Sequence, residues 1–148
     1  MAIGRKIGTT VMKAGSRLSV WLYRRPNGRL GGTVLGGDTP VLLLTTTGRK
    51  TGVQRTRPLG YYRDESRFVL CGSNGGSDVM PAWVWNLRSN PNVMIEVKAE
   101  KMAAIASEAV GDEYARLWQA FTSANPQYVR YTEKTTRKLP LVVLEPIG

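Results

Sequence analysis

PVLLLTTTGRKTGVQRTRPLGYY, residues 40 to 62, opens on the apolar run Val41-Leu42-Leu43-Leu44 and passes through three threonines into a turn. The turn carries Gly48 and Gly52 among the cations Arg49, Lys50 and Arg55. A second extended run follows, from about Thr56 to Arg63. A short apolar run bounded by turn signals reads as a buried strand, and two such runs around a glycine turn read as a hairpin. Glycine reaches backbone angles that present N–H groups to a ligand, and clustered cations neutralise charge, so this turn suits an anion. The rest of the chain then positions whatever that anion is attached to.

Toward the C-terminus, Asp64-Glu65-Ser66 is a polar turn and Arg67 to Gly72 a third strand. Three strands joined by short turns predict an antiparallel meander. Ser73-Asn74-Gly75-Gly76-Ser77 is a glycine-rich loop at a strand end. Spacing alone reads it equally as a set of backbone donors for a ligand and as an ordinary connector. Pro81 opens a helix over Ala82 to Arg88, stopped by Asn90-Pro91, and its tryptophans read first as packing residues. Asn92 to Lys98 alternates as a half-buried strand, with Met102 to Val110 as its partner across an Ala99-Glu100-Lys101 turn. Gly111-Asp112-Glu113 starts a helix whose acids suit its N-terminal dipole and whose apolar face is Tyr114, Leu117, Trp118 and Phe121. Tyr128 and Tyr131, three apart, share a face on a helical turn, where they line a pocket or pack on the surface. Leu139 to Leu144 is the last strand. About six strands, mostly antiparallel, with two or three helices predict a mainly β, α+β fold: a small barrel or strongly curled sheet with helices around it.

Toward the N-terminus, Ile3, Ile7, Val11, Ala14, Leu18 and Leu22 recur at three- and four-residue steps, with Arg5, Lys6, Lys13 and Arg17 between them. Residues 1–25 therefore read as a weak basic amphipathic helix, interrupted by Gly4, Gly8 and Gly15. Such a helix docks one face on the domain or lies peripherally on an anionic membrane. Arg24 to Thr39, with Pro26 and five glycines, reads as loop or linker. The division expected is a basic helical and linker segment over residues 1–32 and a barrel domain over 33–148.

The composition excludes several classes. With 148 residues, 42% of them hydrophobic and 22% charged, the chain is expected to be one globular domain. It lacks the ~20-residue apolar run of a membrane span and a secretory pattern, so a cytoplasmic location is expected, with the inner face of the membrane as an extension of it. Cys71 is the single cysteine and sits in an apolar run, which predicts an inert core thiol. The sequence has no histidine, which excludes histidine-based triads and leaves a poor ligand set for a transition metal. No metal is expected, and hard chemistry would belong to a bound cofactor. The net charge is +10, and it is uneven: residues 1–63 hold twelve basic residues and one acidic, the remainder nine and ten. That field suits nucleic acid, an anionic membrane or a phosphorylated small molecule.

Leu44-Thr45-Thr46-Thr47-Gly48-Arg49-Lys50-Thr51-Gly52, followed by Arg55 and Pro58-Leu59, resembles the deazaflavin-dependent nitroreductase and quinone reductase family of actinobacteria. The similarity continues through Ser73, Pro81-Ala82-Trp83, Asn86-Leu87, Asn90-Pro91, Pro126-Gln127-Tyr128 and Leu141 to Pro146. The resemblance implies a split β-barrel like that of flavin-mononucleotide-binding oxidases. It implies hydride transfer from reduced coenzyme F-420 to a quinone, an enone or a nitroaromatic. F-420 carries a phosphodiester and an oligoglutamate tail, which accords with the basic turn. By position, the resemblance implies that Arg49, Lys50 and Arg55 hold the phosphate and tail, with Thr51 beside them among the cofactor-binding residues. Pro58, Ser73, Asn74, Gly75, Gly76, Ala82 and Trp83 would lie around the deazaflavin. Tyr128 and Tyr131 would face the acceptor, one of them as proton donor. Two positions depart from the pattern: Asn74 where some members have lysine, and Gly60 where some have tyrosine. A monomer is expected.

Two other readings compete. Flavin mononucleotide on the same barrel would also place its phosphate on Arg49 and Lys50. A basic nucleic-acid-binding barrel fits the charge, but the strands lack a row of aromatics for base stacking, so no nucleic acid is expected.

Overall fold

The computed structural model describes residues 39 to 147. The basic segment expected over residues 1–32, its membrane contact and the domain boundary at residue 33 lie outside the described residues. Seven strands form one antiparallel sheet: β1 (Val41–Thr47), β2 (Gln54–Gly60), β3 (Tyr62–Asp64), β4 (Arg67–Cys71), β5 (Asn92–Val97), β6 (Glu100–Glu108) and β7 (Leu141–Pro146). Their spatial order is β2-β1-β5-β6-β7-β4-β3. Three helices accompany them among the described residues: α1 (Ala82–Ser89), α2 (Gly111–Ala124) and α3 (Gln127–Thr132). The sheet curls until β2 approaches β4 without pairing, which makes the fold a split β-barrel.

Period-two alternation explains both faces of the sheet. Leu42 and Leu44, Phe68 and Leu70, Val93, Ile95 and Val97, Ala104 and Ala106, and Val142 and Leu144 turn inward, where Trp83, Val84 and Leu87 of α1 join them. The intervening residues Val69, Cys71, Leu141 and Val143 turn outward and are covered by Leu117 and Phe121 of α2. A fully buried side chain of this size contributes about 1.5–3 kcal/mol. Gly111, at φ +58°, turns the chain from β6 into α2.

Two expectations need correction. The meander does not form, because the second run breaks at Tyr61. That ring turns into the core, edge-on to Phe68 at 5.4 Å, and its N–H bonds Pro40 O instead of a ladder partner. The halves of the run then pair separately, β2 with β1 and β3 with β4, on opposite edges of the sheet. The β5–β6 turn is also earlier and tighter than expected. It is Lys98-Ala99, with φ of 50° and 68°, so β6 begins at Glu100. Those are the angles of the two-residue hairpin turn that matches strand twist, reached here without glycine or asparagine.

Candidate functional site

A cleft of about 1010 Å³ opens between β2, the loop after β4, the start of α1, and α3. β2 runs along it. Cross-strand partners share a face of the sheet. Leu42 pairs with Leu59, and Leu44 with Arg57, so Arg57 and Leu59 are directed to the inner side where β2 has no further neighbour. Arg57, Pro58, Leu59 and Gly60 all line the cleft. Arg49 enters its lining from the β1–β2 turn. No carboxylate lines the cleft among the described residues, so the two guanidiniums face it uncompensated.

The turn is built as its glycines suggest. Gly52 takes φ +73°, and the N–H groups of Gly48 and Gly52 close it on Val53 O and Gly48 O, both at 2.8 Å. Thr51 Oγ1 accepts the Val53 N–H at 3.2 Å. Asn86 of α1, buried, accepts the Arg49 N–H on Oδ1 and donates from Nδ2 to Thr46 Oγ1.

The second wall is the loop from Gly72 to Met80. Asn74, Gly75 and Gly76 take positive φ, and Asn74–Gly76 forms a short 3-10 turn. Arg137 fixes this loop from behind. Its guanidinium donates to the carbonyls of Gly72, Ser73, Ser77 and Val79 at 2.9–3.4 Å. Thr135 Oγ1 adds a 2.6 Å bond to Asp78. Four of the loop carbonyls are thus taken up by Arg137, and Ser73, Asn74 and Gly75 border the cleft.

The third wall is α3. Tyr128 packs edge-on against Phe121 at 4.7 Å and against Tyr131 at 5.1 Å, and both tyrosines line the cleft. Burial, with the nearby Cys71 and Tyr131, pushes the Tyr128 hydroxyl well above the usual range for a phenol, so it keeps its proton. Gln127 Nε2 donates to Thr39 Oγ1 at 3.1 Å, tying α3 to the chain before β1. Cys71 also borders the cleft, and burial pushes its thiol up to about 12 against the opposing effect of Arg137.

Of the positions singled out in the sequence, Arg49, Pro58, Ser73, Asn74, Gly75, Ala82, Trp83, Tyr128 and Tyr131 meet around this one cleft. Lys50, Thr51, Arg55 and Gly76 lie outside its lining. Lys50 and Thr51 are exposed on the turn. Gly76 is buried behind the loop, where a Cβ would stand 3.0 Å from Tyr131 O. Sequence reasoning missed Arg57, Trp85 and Arg137. Arg57 carried a signal, two residues after Arg55 on a strand. Arg137 carried none, because its loop partners lie about sixty residues away.

The model of the F420H(2)-dependent quinone reductases matches residues 15–146. The chain belongs to that family. An F420H(2)-dependent quinone reductase of Mycobacterium tuberculosis is 40% identical over 131 residues, covering 86% of this chain and 87% of the relative. A solved F420-H2 dependent reductase, FDR-A, is 32% identical with a TM-score of 0.67, covering 72% of this chain and 94% of its own. A further solved structure, 28% identical with a TM-score of 0.68 over 93% of this chain and 99% of that one, is described as a domain-swapped dimer. A structural neighbour of this chain is thus a dimer, so the fold does not by itself dictate the monomer expected from the sequence. Among the described residues no helix is long and apolar enough to cross a membrane.

The cofactor that the family name implies fits the cleft's donor set. A phosphodiester and glutamate carboxylates need cations without competing acids, which Arg49 and Arg57 provide. A flat ring needs apolar walls and a few polar groups, which Pro58, Leu59, Met80, Trp83 and the loop at Ser73 provide.

Proposed function

We propose that this quinone reductase family member passes a hydride from reduced F-420 to a quinone bound in the same cleft, with enones and nitroaromatics as further acceptors. The observation that carries the reading is the pair of guanidiniums, Arg49 and Arg57, with no carboxylate beside them among the described residues of the lining, bordering a cleft of mixed apolar and polar walls that ends at two tyrosines. When bound, reduced F-420 supplies a hydride and a proton, which a quinone takes up together to become the hydroquinone. Arg49 and Arg57 hold the anionic end, while Lys50 and Arg55 add field from outside the lining. Charge-assisted hydrogen bonds contribute about 1.5–3 kcal/mol each. Micromolar affinity needs about 8 kcal/mol net, so burial of the ring between Pro58, Ala82 and Trp83 supplies much of the remainder. Ser73, Asn74 and Gly75 orient the ring's polar edge. Tyr131 donates a hydrogen bond to the acceptor oxygen, or relays to it the proton that the cofactor releases, with Tyr128 packed against it. The site works without a metal.

The test mixes purified protein and reduced F-420 with a panel of quinones, enones and nitroaromatics and follows cofactor oxidation. Flavin mononucleotide is titrated in parallel. Turnover with quinones and saturable F-420 binding are expected. Tight flavin mononucleotide binding without a response to F-420 would replace this reading with the flavin one.

A further inference from the structure

Arg49 stands on an exposed turn, where a long cationic side chain ordinarily samples many rotamers. Helix α1 meets it by two routes. Asn86, 7% exposed, accepts the Arg49 N–H at 3.1 Å and donates to Thr46 Oγ1 at 3.2 Å, so its amide ties the turn to the end of β1. Trp85, the residue before it, is 41% exposed and lines the cleft. The Arg49 guanidinium lies 5.6 Å from the centroid of that ring, and the Arg88 guanidinium lies 5.0 Å from it. Arg88 is in turn held by two 2.7 Å bonds to Glu108 of β6.

The hydrophobic core does not explain Trp85. Trp83, Val84 and Leu87 already supply the buried face of α1, and Trp85 lies outside it. An indole left partly in solvent beside two guanidiniums is placed for cation–π contact. The carboxylate of Glu108 neutralises Arg88, so of the two guanidiniums on Trp85 it is Arg49 that borders the cleft. Ordering a cation before its ligand arrives lowers the entropy lost on binding.

We propose that Trp85 and Asn86 are positioning residues for Arg49: Asn86 fixes its main chain and Trp85 its guanidinium, over the cleft, for the phosphodiester or carboxylates of the cofactor. This rests on the function proposed above and adds that helix α1, as well as the glycine turn, sets where the anion-binding charge stands. The two residues act through Arg49 and not by touching the anion themselves.

The test measures the dissociation constant of oxidised F-420 by calorimetry at low and high salt, with full-length protein. Wild type and the variants Arg49→Ala, Trp85→Ala, Trp85→Phe and Trp85→Ala/Arg49→Ala are compared. Trp85→Ala is expected to weaken binding by about two- to fivefold, the range of an exposed cation–π contact. Trp85→Phe is expected to recover most of that loss, because a ring face is retained. The double variant should bind no more weakly than Arg49→Ala, and both should show a shallower salt dependence than wild type. In steady state, KM for reduced F-420 should rise in Trp85→Ala with kcat within about twofold, the pattern of lost ground-state binding. Asn86→Ala, checked by its melting temperature, should reproduce the loss of affinity.

Wild type that fails to bind F-420 overturns the proposed function and this inference with it. If Arg49→Ala weakens binding but Trp85→Ala does not, the function stands and the positioning role is wrong. If the Trp85 and Arg49 losses multiply in the double variant, the indole touches the cofactor directly, which also overturns positioning.

Discussion

Gly60→Ala separates the acceptor end of the cleft from the cofactor's anionic end. Gly60 ends β2 opposite Val41, and its φ lies in the range that any residue adopts. Alanine there restricts the unfolded chain, which favours folding by about 0.4–1 kcal/mol. The added Cβ would lie 2.9 Å from Thr39 Cγ2 and 3.2 Å from Tyr128 Oη. Both distances fall inside ordinary carbon contact, and overpacking of this kind costs about 1–3 kcal/mol. The neighbours have little room to retreat. Tyr128 is held edge-on by Phe121 and Tyr131, and Thr39 is bonded to Gln127. A net loss of about 0.5–2 kcal/mol in stability is expected from these opposing effects. The tyrosine hydroxyl should shift by a few tenths of an ångström. Since misplacement by about 1 Å can cost a hundredfold, kcat/KM for a quinone should fall by about three- to tenfold. Arg49 and Arg57 are untouched, so the F-420 dissociation constant should stay within about twofold. Denaturant melts, F-420 titration and acceptor kinetics on one preparation read all three quantities. Thr39→Ser in the Gly60→Ala background removes the clashing methyl, keeps the hydroxyl that accepts from Gln127, and should restore part of the stability. Acceptor kinetics and melting both equal to wild type would refute the packing account of Gly60 and the placing of the acceptor beside Tyr128.

Arg49→Ala and Arg57→Ala should each weaken F-420 binding about tenfold at low salt, and Lys50→Ala less, because only the first two line the cleft; equal losses at all three would point to a diffuse field instead of a built site. Tyr131→Phe should lower kcat for quinones several-fold while leaving F-420 affinity in place, and stopped-flow cofactor oxidation checks the split. Burial raises the hydroxyl pKa of Tyr61, Tyr114 and Tyr128, so above about pH 10 the unfolded chain loses protons that the folded chain keeps. Stability should therefore fall with rising pH in that range, and less steeply in Tyr128→Phe, as pH-dependent urea melts would show. With its thiol pushed up to about 12 by burial, Cys71 should resist thiol reagents at neutral pH until the protein is unfolded.

Much of this fold was legible from local pattern. The strand at Val41, the helix after Pro81, the helix from Gly111 and the last strand from Leu141 all stand close to where periodicity and capping residues place them. The tight Lys98-Ala99 turn was not legible, because neither residue advertises positive φ. The break at Tyr61 was hidden for a different reason. Residues 56 to 63 read as one extended run, and it is the tertiary contacts of Tyr61, with Phe68 and with Pro40 O, that divide it between two edges of the sheet.

The candidate site divides in the same way. Sequence by itself determined the glycine turn with its cations, the glycine-rich loop and the tyrosines three apart, since each lies within a few neighbouring residues and follows from backbone freedom, charge and helical spacing. Only the tertiary structure decided which of those cations reach the cleft, because that depends on the β1–β2 register and on the sheet curling until an edge strand faces α3. It alone brought Arg137 behind the loop at Ser73 and Trp85 beside Arg49, contacts that join residues tens of positions apart. No local pattern encodes such pairs; they exist because burying both faces of one curled sheet fixes where every loop must end.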